Sequence, residues 1–146
     1  MIIIRKANLS DIEDLFCWRN HPSVRKNSFN NSKILWEEHV EWFSSSLIDF
    51  NRLICIAERG DEKIGMVRFD YHDEFKVYIS IYLNPDFIGK GFGSEVLDLA
   101  LNFFRKNNQW NCEKILAKVL VDNIASIKIF EKAGFEKNYI LFEYQL

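Results

Sequence analysis

The feature that most constrains the fold of this chain is a strand-like run that leads through a glycine-rich turn into a helix. Residues 75–83 are rich in β-branched and aromatic types, which suits a strand. Pro85 cannot donate a ladder hydrogen bond, so the strand is predicted to end near it. From Ser94 onward, apolar residues recur at helical spacing. Between strand and helix, three glycines occupy every second position: Gly89, Gly91 and Gly93.

A bare backbone at the start of a helix is suited to binding an anion. The first turn of a helix has unpaired N–H groups and the positive end of the helix dipole. Without Cβ atoms in the way, a phosphate or pyrophosphate can lie directly against those groups. Lys90 lies inside the turn and favours this interpretation, with an ordinary glycine-rich turn as the alternative. The spacing differs from G-x-x-x-x-G-K-S/T, which argues against a nucleoside triphosphate P-loop.

Composition narrows the possible classes of function. The 146 residues are enough to bury a real core, and residues 1–146 are predicted to form one domain. A formal net charge of −2 gives no support to broad nucleic-acid or anionic-membrane binding. No apolar run approaches the length of a membrane span, and the first residues do not resemble a signal peptide. The three cysteines have no metal-ligand spacing, so we expect no metal and a cytoplasmic location: Cys17, Cys55 and Cys112.

The rest of the chain predicts an α/β fold with a mixed central sheet. A Ser10–Glu13 capping box predicts that the first helix begins at Ser10, and Pro22 ends it. Asp122 or Asn123 is the predicted cap of the last helix, with Gly134 just past the end of that helix. A central antiparallel meander is followed by crossover helices. The predicted strands are 2–7, 52–58, 63–71, 75–83, 114–121 and one or two from 135 to 144, and the predicted helices are 10–20, 34–47, 94–106 and 123–133.

Two segments resemble motifs of the GNAT acyltransferases. Residues 84–93, N-P-D-F-I-G-K-G-F-G, are similar to the acetyl-CoA pyrophosphate loop of that family, whose pattern is Q/R-x-x-G-x-G/A. Residues 123–135 are similar to the N-x-x-A/S…E-K-x-G-F segment of the family. The order of elements agrees with the GNAT fold over nearly the whole chain. One position departs from the pattern, because Ile88 stands where the family has Gln or Arg, which removes a side-chain contact to phosphate and keeps the backbone cradle.

The resemblance implies a binding site for acetyl-CoA on the central strand and the glycine turn. In GNAT folds the central strand splays from its parallel neighbour, and pantetheine inserts there like an extra strand. A main-chain donor on this strand would also polarise the thioester carbonyl. Asn123 is expected to hydrogen-bond pantetheine while it caps its helix. The expected cofactor contacts are Ile81, Tyr82, Leu83, Gly89, Lys90, Gly91, Phe92, Gly93, Ser94, Asn123, Ser126 and Phe130.

Two family positions that carry proton-transfer groups differ in this chain. Many relatives have Glu where this strand has Tyr78, and Tyr where this chain has Phe130. Ser80 shares a strand face with Tyr78 and Tyr82 and could relay a proton through water. Thiolate could leave without an acid, because a free thiol has a pKa of roughly 8.5. The predicted catalytic residues are Ser80, Tyr78 and Tyr139, with Glu58 and Glu74 as alternative bases and Tyr144 as an alternative acid.

The first two helices carry a second signature, which concerns the acceptor. The run Trp18-Arg19-Asn20, then Arg25, then W-x-x-H-x-x-W-F at 36–43, resembles the branch that acetylates amino groups on nucleotide-linked sugars. Within it, the 4-amino N-acetyltransferases of the pseudaminic acid pathway are most similar. Arginines suit two-pronged phosphate contacts, and aromatic rings suit stacking on uracil or sugar. The expected acceptor contacts are Arg19, Asn20, Arg25, Trp36, His39 and Trp42.

Each of these residues also has an ordinary structural interpretation, and two other functions stay open. Aromatic residues at helical spacing usually pack in a core, Arg19 suits a helix C-terminus, and His39 could lie on a solvated helix face. The Trp-Arg-Asn start also occurs in the branch that acetylates ribosomal protein N-termini, so a peptide or a polyamine is an alternative acceptor. A non-catalytic acetyl-CoA-binding domain is a further alternative. The chain is expected to act as a monomer or homodimer.

Overall fold

The computed structural model describes residues 1–146. Its five strands are β1 (Ile3–Lys6), β2 (Arg52–Arg59), β3 (Glu62–Tyr71), β4 (Lys76–Leu83) and β5 (Lys114–Ala117). Its five α-helices are α1 (Ile12–Asn20), α2 (Pro22–Arg25), α3 (Trp36–Leu47), α4 (Phe92–Asn107) and α5 (Ile124–Lys132). Two 3₁₀ turns, Leu9–Asp11 and Pro85–Phe87, precede α1 and the glycine turn.

The strands form one mixed sheet, as the sequence predicts. Their spatial order is β1-β2-β3-β4-β5. The first four strands pair antiparallel, and β4 pairs parallel with β5. The β4–β5 register ends at Ile79 opposite Ala117, whereas β4 continues to Leu83. The outer edge of β4 therefore has no strand partner over its last four residues, which confirms the predicted splay.

Helices cover both faces of the sheet. Alternation along β3 and β4 sends Val67, Phe69, Val77 and Ile79 to the face under α4, where they form the larger core. The opposite face forms a smaller core under α1 and α3, built from Leu15, Trp18, Phe43, Ile54, Ile56 and Met66. Neighbouring residues of one strand thus serve two different cores, because successive side chains point to opposite faces.

The entry into α1 is organised around a buried carboxylate. Asp11 is fully buried and accepts hydrogen bonds from both terminal nitrogens of Arg5, at 2.8 Å each. It also accepts from the Asn8 amide at 2.9 Å and pairs with Lys63 Nζ at 2.9 Å. The capping box is therefore Asn8 with Asp11, and the predicted Ser10–Glu13 box is wrong. A 3₁₀ turn precedes the helix, so α1 begins at Ile12 and not at Ser10.

Three further predictions about elements are corrected. The chain from Phe135 to Leu146 forms no strand, and its apolar side chains from Tyr139 onward are exposed. The strand predicted at 114–121 ends at Ala117. The segment after Pro22, which lies outside every predicted helix and strand, begins with the short helix α2, because His21 caps it and Pro22 stands at its first position. The predicted cap Asn123 and the left-handed Gly134, with a φ of 98°, are confirmed.

None of the helices combines the length and the apolar composition that a membrane span requires.

Candidate functional site

The glycine turn before α4 presents an open backbone surface. Gly89 and Gly91 have backbone φ values of 77° and 83°, which residues other than glycine rarely adopt. A Cβ placed on either residue would meet no heavy atom within 4 Å, so the space beside them is free of protein. Gly93 serves a different purpose, since a Cβ there would lie 3.4 Å from the Ile129 side chain. It lets the start of α4 approach α5 closely.

Aromatic and basic side chains cluster around this turn. Lys90 Nζ lies 5.7 Å from the centre of the Phe87 ring, and Phe92 packs edge-on against Phe87 at 5.5 Å. Arg59, from the β2–β3 turn, lies 5.1 Å from the Phe92 ring centre. Ser94 occupies the first turn of α4. The cationic groups here add positive charge next to the exposed backbone amides.

The unpaired end of β4 continues this surface toward α5. Ser80, Ile81, Tyr82 and Leu83 form that end, and their outer main-chain groups have no strand partner. At the start of α5, the Asn123 side chain accepts a hydrogen bond from the Ser126 amide at 3.2 Å.

The wall behind the unpaired strand end is apolar. Phe130 is buried in the larger core and packs edge-on against Phe135, with ring centres 5.0 Å apart. The predicted cofactor residues thus follow one continuous path: strand edge, glycine turn and the start of α5.

A polar surface occupies the other face of β3 and β4, toward α1 and α3. Arg68 stands opposite Ser80, and Asp70 stands opposite Tyr78, in the antiparallel register. Directly opposed residues share a face, so these four side chains are neighbours on one side of the sheet. Two of the predicted catalytic residues, Tyr78 and Ser80, are brought together here.

Asp70 accepts hydrogen bonds from two arginines whose guanidinium groups also contact the Trp42 ring. One carboxylate oxygen accepts from Arg52 Nε at 2.5 Å and the other from Arg68 Nε at 2.8 Å. Both guanidinium groups lie over the Trp42 ring, each 5.5 Å from its centre. Arg52 also donates to the Ser46 hydroxyl at 2.9 Å. The predicted acceptor residue Trp42 is therefore held at this polar surface by cation–π contacts.

Three predicted acceptor residues anchor the loop between α2 and α3. Arg19 donates to the Asn30 carbonyl, and Arg25 Nε donates to the Asn31 carbonyl at 2.9 Å. Asn20 forms two hydrogen bonds with the backbone of Ile34, at 2.7 Å and 2.9 Å. These contacts give Asn20 a structural role and leave part of each guanidinium available.

The environment of Arg19 is strongly positive. Burial, together with the charges of Arg25 and Arg68, lowers its pKa, and only Tyr82 acts in the opposite direction. Arg19 Nη1 is buried and has no hydrogen-bond partner. Burial also raises the pKa of Tyr82 well above its ordinary value, although Arg68 and Arg19 oppose the shift. Tyr82 therefore stays protonated at neutral pH.

Two other predicted acceptor residues belong to an aromatic cluster on α3. His39 is only 3% exposed, and its Nε2 lies 2.8 Å from the Ile12 carbonyl oxygen. Burial lowers its pKa, so its ring is neutral at pH 7. The structure puts His39 in the interior, stacked on Phe43, because the α3 turn that carries it packs onto α1. Trp36 packs edge-on against Phe16 and remains 40% exposed.

The remaining candidates for proton transfer do not lie next to Ser80. Tyr139 lies in the exposed C-terminal segment, is 73% exposed and makes no side-chain hydrogen bond, so the structure does not bring it to Ser80. Glu58 pairs with Arg5 at 3.0 Å and lies on β2, which β3 separates from the strand of Ser80. Glu74 lies in the β3–β4 turn and pairs with Lys76 at 3.1 Å. The carboxylate nearest to Ser80 along the register is Asp70, and two arginines already use both of its oxygens.

Sequence analysis missed three residues of the polar surface. Arg52, Arg68 and Asp70 are charged residues within apolar strands. Alternation along β3 puts Arg68 and Asp70 on the same face as Met66, and this pattern could have identified them. No local sequence pattern predicts that Arg52 and Arg68 contact Trp42 on α3.

The open backbone of the glycine turn, the unpaired edge of β4 and the polar surface on the other face of β3 and β4 together form the candidate site. The family profile for the acetyltransferase (GNAT) domain matches residues 1–136. The chain therefore belongs to the GNAT family of N-acetyltransferases.

Two curated relatives are similar to this chain over most of its length. An uncharacterised protein of Methanocaldococcus jannaschii is 32% identical over 139 residues, covering 93% of this chain and 28% of its own length. The acetyltransferase PseH of a Campylobacter jejuni strain is 26% identical over 131 residues, covering 89% of this chain and 80% of its own. The chain thus spans less than a third of the first protein and most of the second.

Solved structures show the same fold. A domain from Methanocaldococcus jannaschii superposes with a TM-score of 0.78 at 30% identity, covering 94% of this chain and 90% of that domain. Spermidine N-acetyltransferase from Vibrio cholerae, solved with CoA and spermine, has a TM-score of 0.85 at 19% identity. That match covers 99% of this chain and 87% of the Vibrio cholerae protein, and at this identity it shows the fold alone.

Proposed function

We propose that this chain is a cytoplasmic, acetyl-CoA-dependent N-acetyltransferase that acts on the primary amine of a nucleotide-linked sugar. The first candidate acceptor is the 4-amino group of a UDP-linked 4-amino-4,6-dideoxy sugar. The observation that carries the proposal is the charge of the polar surface. Arg52 and Arg68 both pair with one carboxylate, Asp70. The charges of Arg68 and Arg25 also act on Arg19, whose pKa they lower together with burial.

This charge distribution favours an anionic acceptor. A polyamine carries several positive charges and would be repelled by an arginine-rich surface. A nucleotide sugar brings two phosphates, which arginine binds with charge-assisted and often bidentate hydrogen bonds. The resemblance of residues 18–43 to the branch that acetylates nucleotide-linked sugars supports the same acceptor class. Trp36 and Trp42, which are partly exposed, would contact the sugar or the uracil ring.

Acetyl-CoA fits the surface formed by the glycine turn and the unpaired end of β4. The free space beside Gly89 and Gly91 is where a pyrophosphate would approach the backbone amides, with Lys90 alongside. The outer main-chain groups of Ile81 to Leu83 would pair with the pantetheine amides. Asn123 would keep its cap and offer its amide to the same chain. When bound, acetyl-CoA supplies an acetyl group activated as a thioester.

The residues of the polar surface would prepare the amine for attack. A nearby positive charge disfavours an ammonium ion and lowers the pKa of that amine. Arg68, opposite Ser80, would therefore help to present the amine in its neutral form. A strong general base at the position of Tyr78 is then less necessary, and Ser80 would pass the released proton to water. The departing thiolate needs little help from an acid, since its pKa is roughly 8.5.

The test is an acceptor panel with purified protein and acetyl-CoA. We expect acetylation of a UDP-linked 4-amino sugar, with kcat/KM at least tenfold above that of the same sugar without the nucleotide. Product should be followed by the mass of the acetylated acceptor, because Cys17 is exposed and would react with thiol reagents used to detect CoA. An N-terminal peptide and spermidine serve as the comparison acceptors.

Two outcomes contradict the proposal at different levels. Turnover on the peptide or spermidine without turnover on the sugar keeps the N-acetyltransferase assignment and rejects the acceptor. Binding of acetyl-CoA without acetyl transfer to any of the three acceptors rejects the proposed activity on these substrates.

A further inference from the structure

Residues 139–146, which we call the apolar segment, leave their hydrophobic side chains in water. Ile140 is 80% exposed, Phe142 is 88% exposed and Tyr144 is 89% exposed. Residues 139–144 have the β-branched and aromatic composition of a strand, yet no strand of the same chain pairs with them. A contiguous apolar surface on a folded domain marks a place where another surface binds.

The sheet of the same chain ends in an open edge. β5 is the last strand in the sheet order, and only β4 pairs with it. The main-chain groups on the outer side of β5 are therefore able to pair with a further strand. Ile115 and Leu116 are half-buried and point to opposite faces of the sheet. A strand added at this edge would thus cover apolar side chains on both faces.

The apolar segment and β5 complement each other in sequence. Lys114 begins β5, Glu143 belongs to the apolar segment, and both side chains are exposed. Neither residue takes part in an ion pair within the chain. An antiparallel register that sets Glu143 opposite Lys114 also sets residues 140–142, I-L-F, opposite residues 115–117, I-L-A. Opposite charges and apolar side chains would then form favourable cross-strand pairs.

A second copy of this chain is the partner that supplies both features. Within one chain, the apolar segment does not pair with β5. Between two copies, the apolar segment of each can pair with β5 of the other. Both contacts then form around one two-fold axis, which is the commonest symmetry of protein oligomers.

The exposed rings provide enough area for a stable interface. A buried aromatic side chain removes about 150–250 Å² from water, so Tyr139, Phe142 and Tyr144 of two copies would together remove about 900–1,500 Å². Ile140 and Leu141 add to this area. Stable protein–protein interfaces bury about 1,200–2,000 Å² in total.

We infer that residues 139–144 pair with β5 of a second copy and that two such contacts form a symmetric homodimer. The register described above also sets Tyr139 of the second copy opposite Lys118. The Lys118 Nζ lies 4.9 Å from the centre of the Tyr78 ring. The interface therefore borders Tyr78, and the second copy brings to this place the phenol that a single chain leaves in water.

The mass of the protein in solution tests the dimer. Size-exclusion chromatography with light scattering should give the wild type a mass near twice the 17.4 kDa of one chain. Phe142→Asp puts a charge among the paired apolar side chains, and we expect it to raise the dimer dissociation constant about tenfold or more in analytical ultracentrifugation.

Ile48→Asp is the matched control, because Ile48 is 87% exposed but lies at the end of α3. It should change the dissociation constant less than twofold. Both substitutions replace an exposed side chain, and circular dichroism checks that both variants are folded. A wild type that stays monomeric across the micromolar range would overturn the inference, and so would equal effects of Phe142→Asp and Ile48→Asp.

Reversal of charge tests the register. Lys114→Glu sets two carboxylates opposite each other and should weaken the dimer, whereas Lys114→Glu combined with Glu143→Lys restores an opposite pair and should recover most of the lost affinity. A dimer that the second substitution does not rescue would contradict this pairing. The outcome does not depend on which acceptor the protein acetylates, so the dimer and the proposed function can fail separately.

Discussion

Asp11 shows how one residue can hold together elements that are distant in the sequence. It is buried at the start of α1 and bonds to Arg5 on β1 and Lys63 on β3. Burial alone would raise its pKa, but hydrogen bonds from Arg5, the Asn8 amide and Lys63 outweigh burial, and the pKa lies well below its ordinary value. The carboxylate is therefore charged throughout the neutral range.

Substitution of Asp11 is expected to destabilise the protein strongly. Asp11→Asn leaves Arg5 and Lys63 facing a neutral group, and breaking one partner of a buried pair costs roughly 3–5 kcal/mol. Urea unfolding should show this as a lower midpoint with an unchanged slope. Asp14→Asn is the matched control, because Asp14 also bonds Lys63, at 2.8 Å, but is half exposed, and exposed pairs contribute about 0–1 kcal/mol. Equal losses in both variants would contradict the role of burial.

The lowered pKa of Asp11 makes the stability of the folded protein depend on pH. A carboxyl group whose pKa is lower in the folded state stabilises the protein above its unfolded pKa of about 3.9. That contribution is lost as pH falls through the folded pKa of Asp11. Wild-type stability should therefore decline below about pH 4 more steeply than that of Asp11→Asn, measured by urea unfolding at a series of pH values.

At the scale of elements, the turn before α4 is the part of the proposed acetyl-CoA surface that depends most on backbone shape. Gly91 is the cap of α4 and has a left-handed conformation. Gly91→Val puts a branched side chain into the space proposed for pyrophosphate, and we expect acetyl-CoA binding to be abolished. The strain of a left-handed valine should also lower stability by roughly 1–3 kcal/mol.

Gly134→Val is the control that separates the two effects of Gly91→Val, which are backbone strain and occupation of the proposed pyrophosphate space. Gly134 has a φ of 98°, and a Cβ there would meet nothing within 4 Å, but it follows the far end of α5. Both variants should lose similar stability in thermal unfolding, whereas only Gly91→Val should lose the upward shift in Tm that acetyl-CoA gives the wild type. Unchanged acetyl-CoA affinity in Gly91→Val would place the pyrophosphate elsewhere.

At the scale of the whole molecule, two cores share one sheet. Ile54 and Cys55 are neighbours on β2 and belong to different cores. If the helices detach from one face of the sheet, the strands that support the core on the other face are disturbed as well. We therefore expect the protein to unfold in a single cooperative step.

The tryptophans allow this expectation to be measured. Trp18, Trp36 and Trp42 lie on the α1 and α3 side, while Trp110 packs against Phe104 on the opposite side. In Trp110→Phe, fluorescence reports only the first side, and circular dichroism reports all the elements. The two urea midpoints should coincide. Separate midpoints would mean that the α1 and α3 side unfolds independently of the larger core.

Much of the fold could be predicted because its signals are local. Strand alternation, the Asn123 cap and the glycine spacing each depend on a few consecutive residues and on backbone chemistry. The C-terminal strand prediction failed for the converse reason. Residues 139–144 have strand-like composition, but a strand exists only when a neighbouring edge pairs with it, and no edge does so here. A strand-like composition is therefore not sufficient, because the segment must also pair with a neighbouring strand.

The sequence by itself determined the family resemblance, the order of most elements and the position of the glycine turn. Only the tertiary structure decided which polar side chains meet. It buried His39 under α1, and it placed Arg68 and Asp70 beside Trp42 and Ser80. These outcomes depend on strand register and on how helices pack across the sheet, both of which join residues far apart along the chain. Local periodicity predicts which face a side chain occupies, but only the assembled layers determine its neighbours.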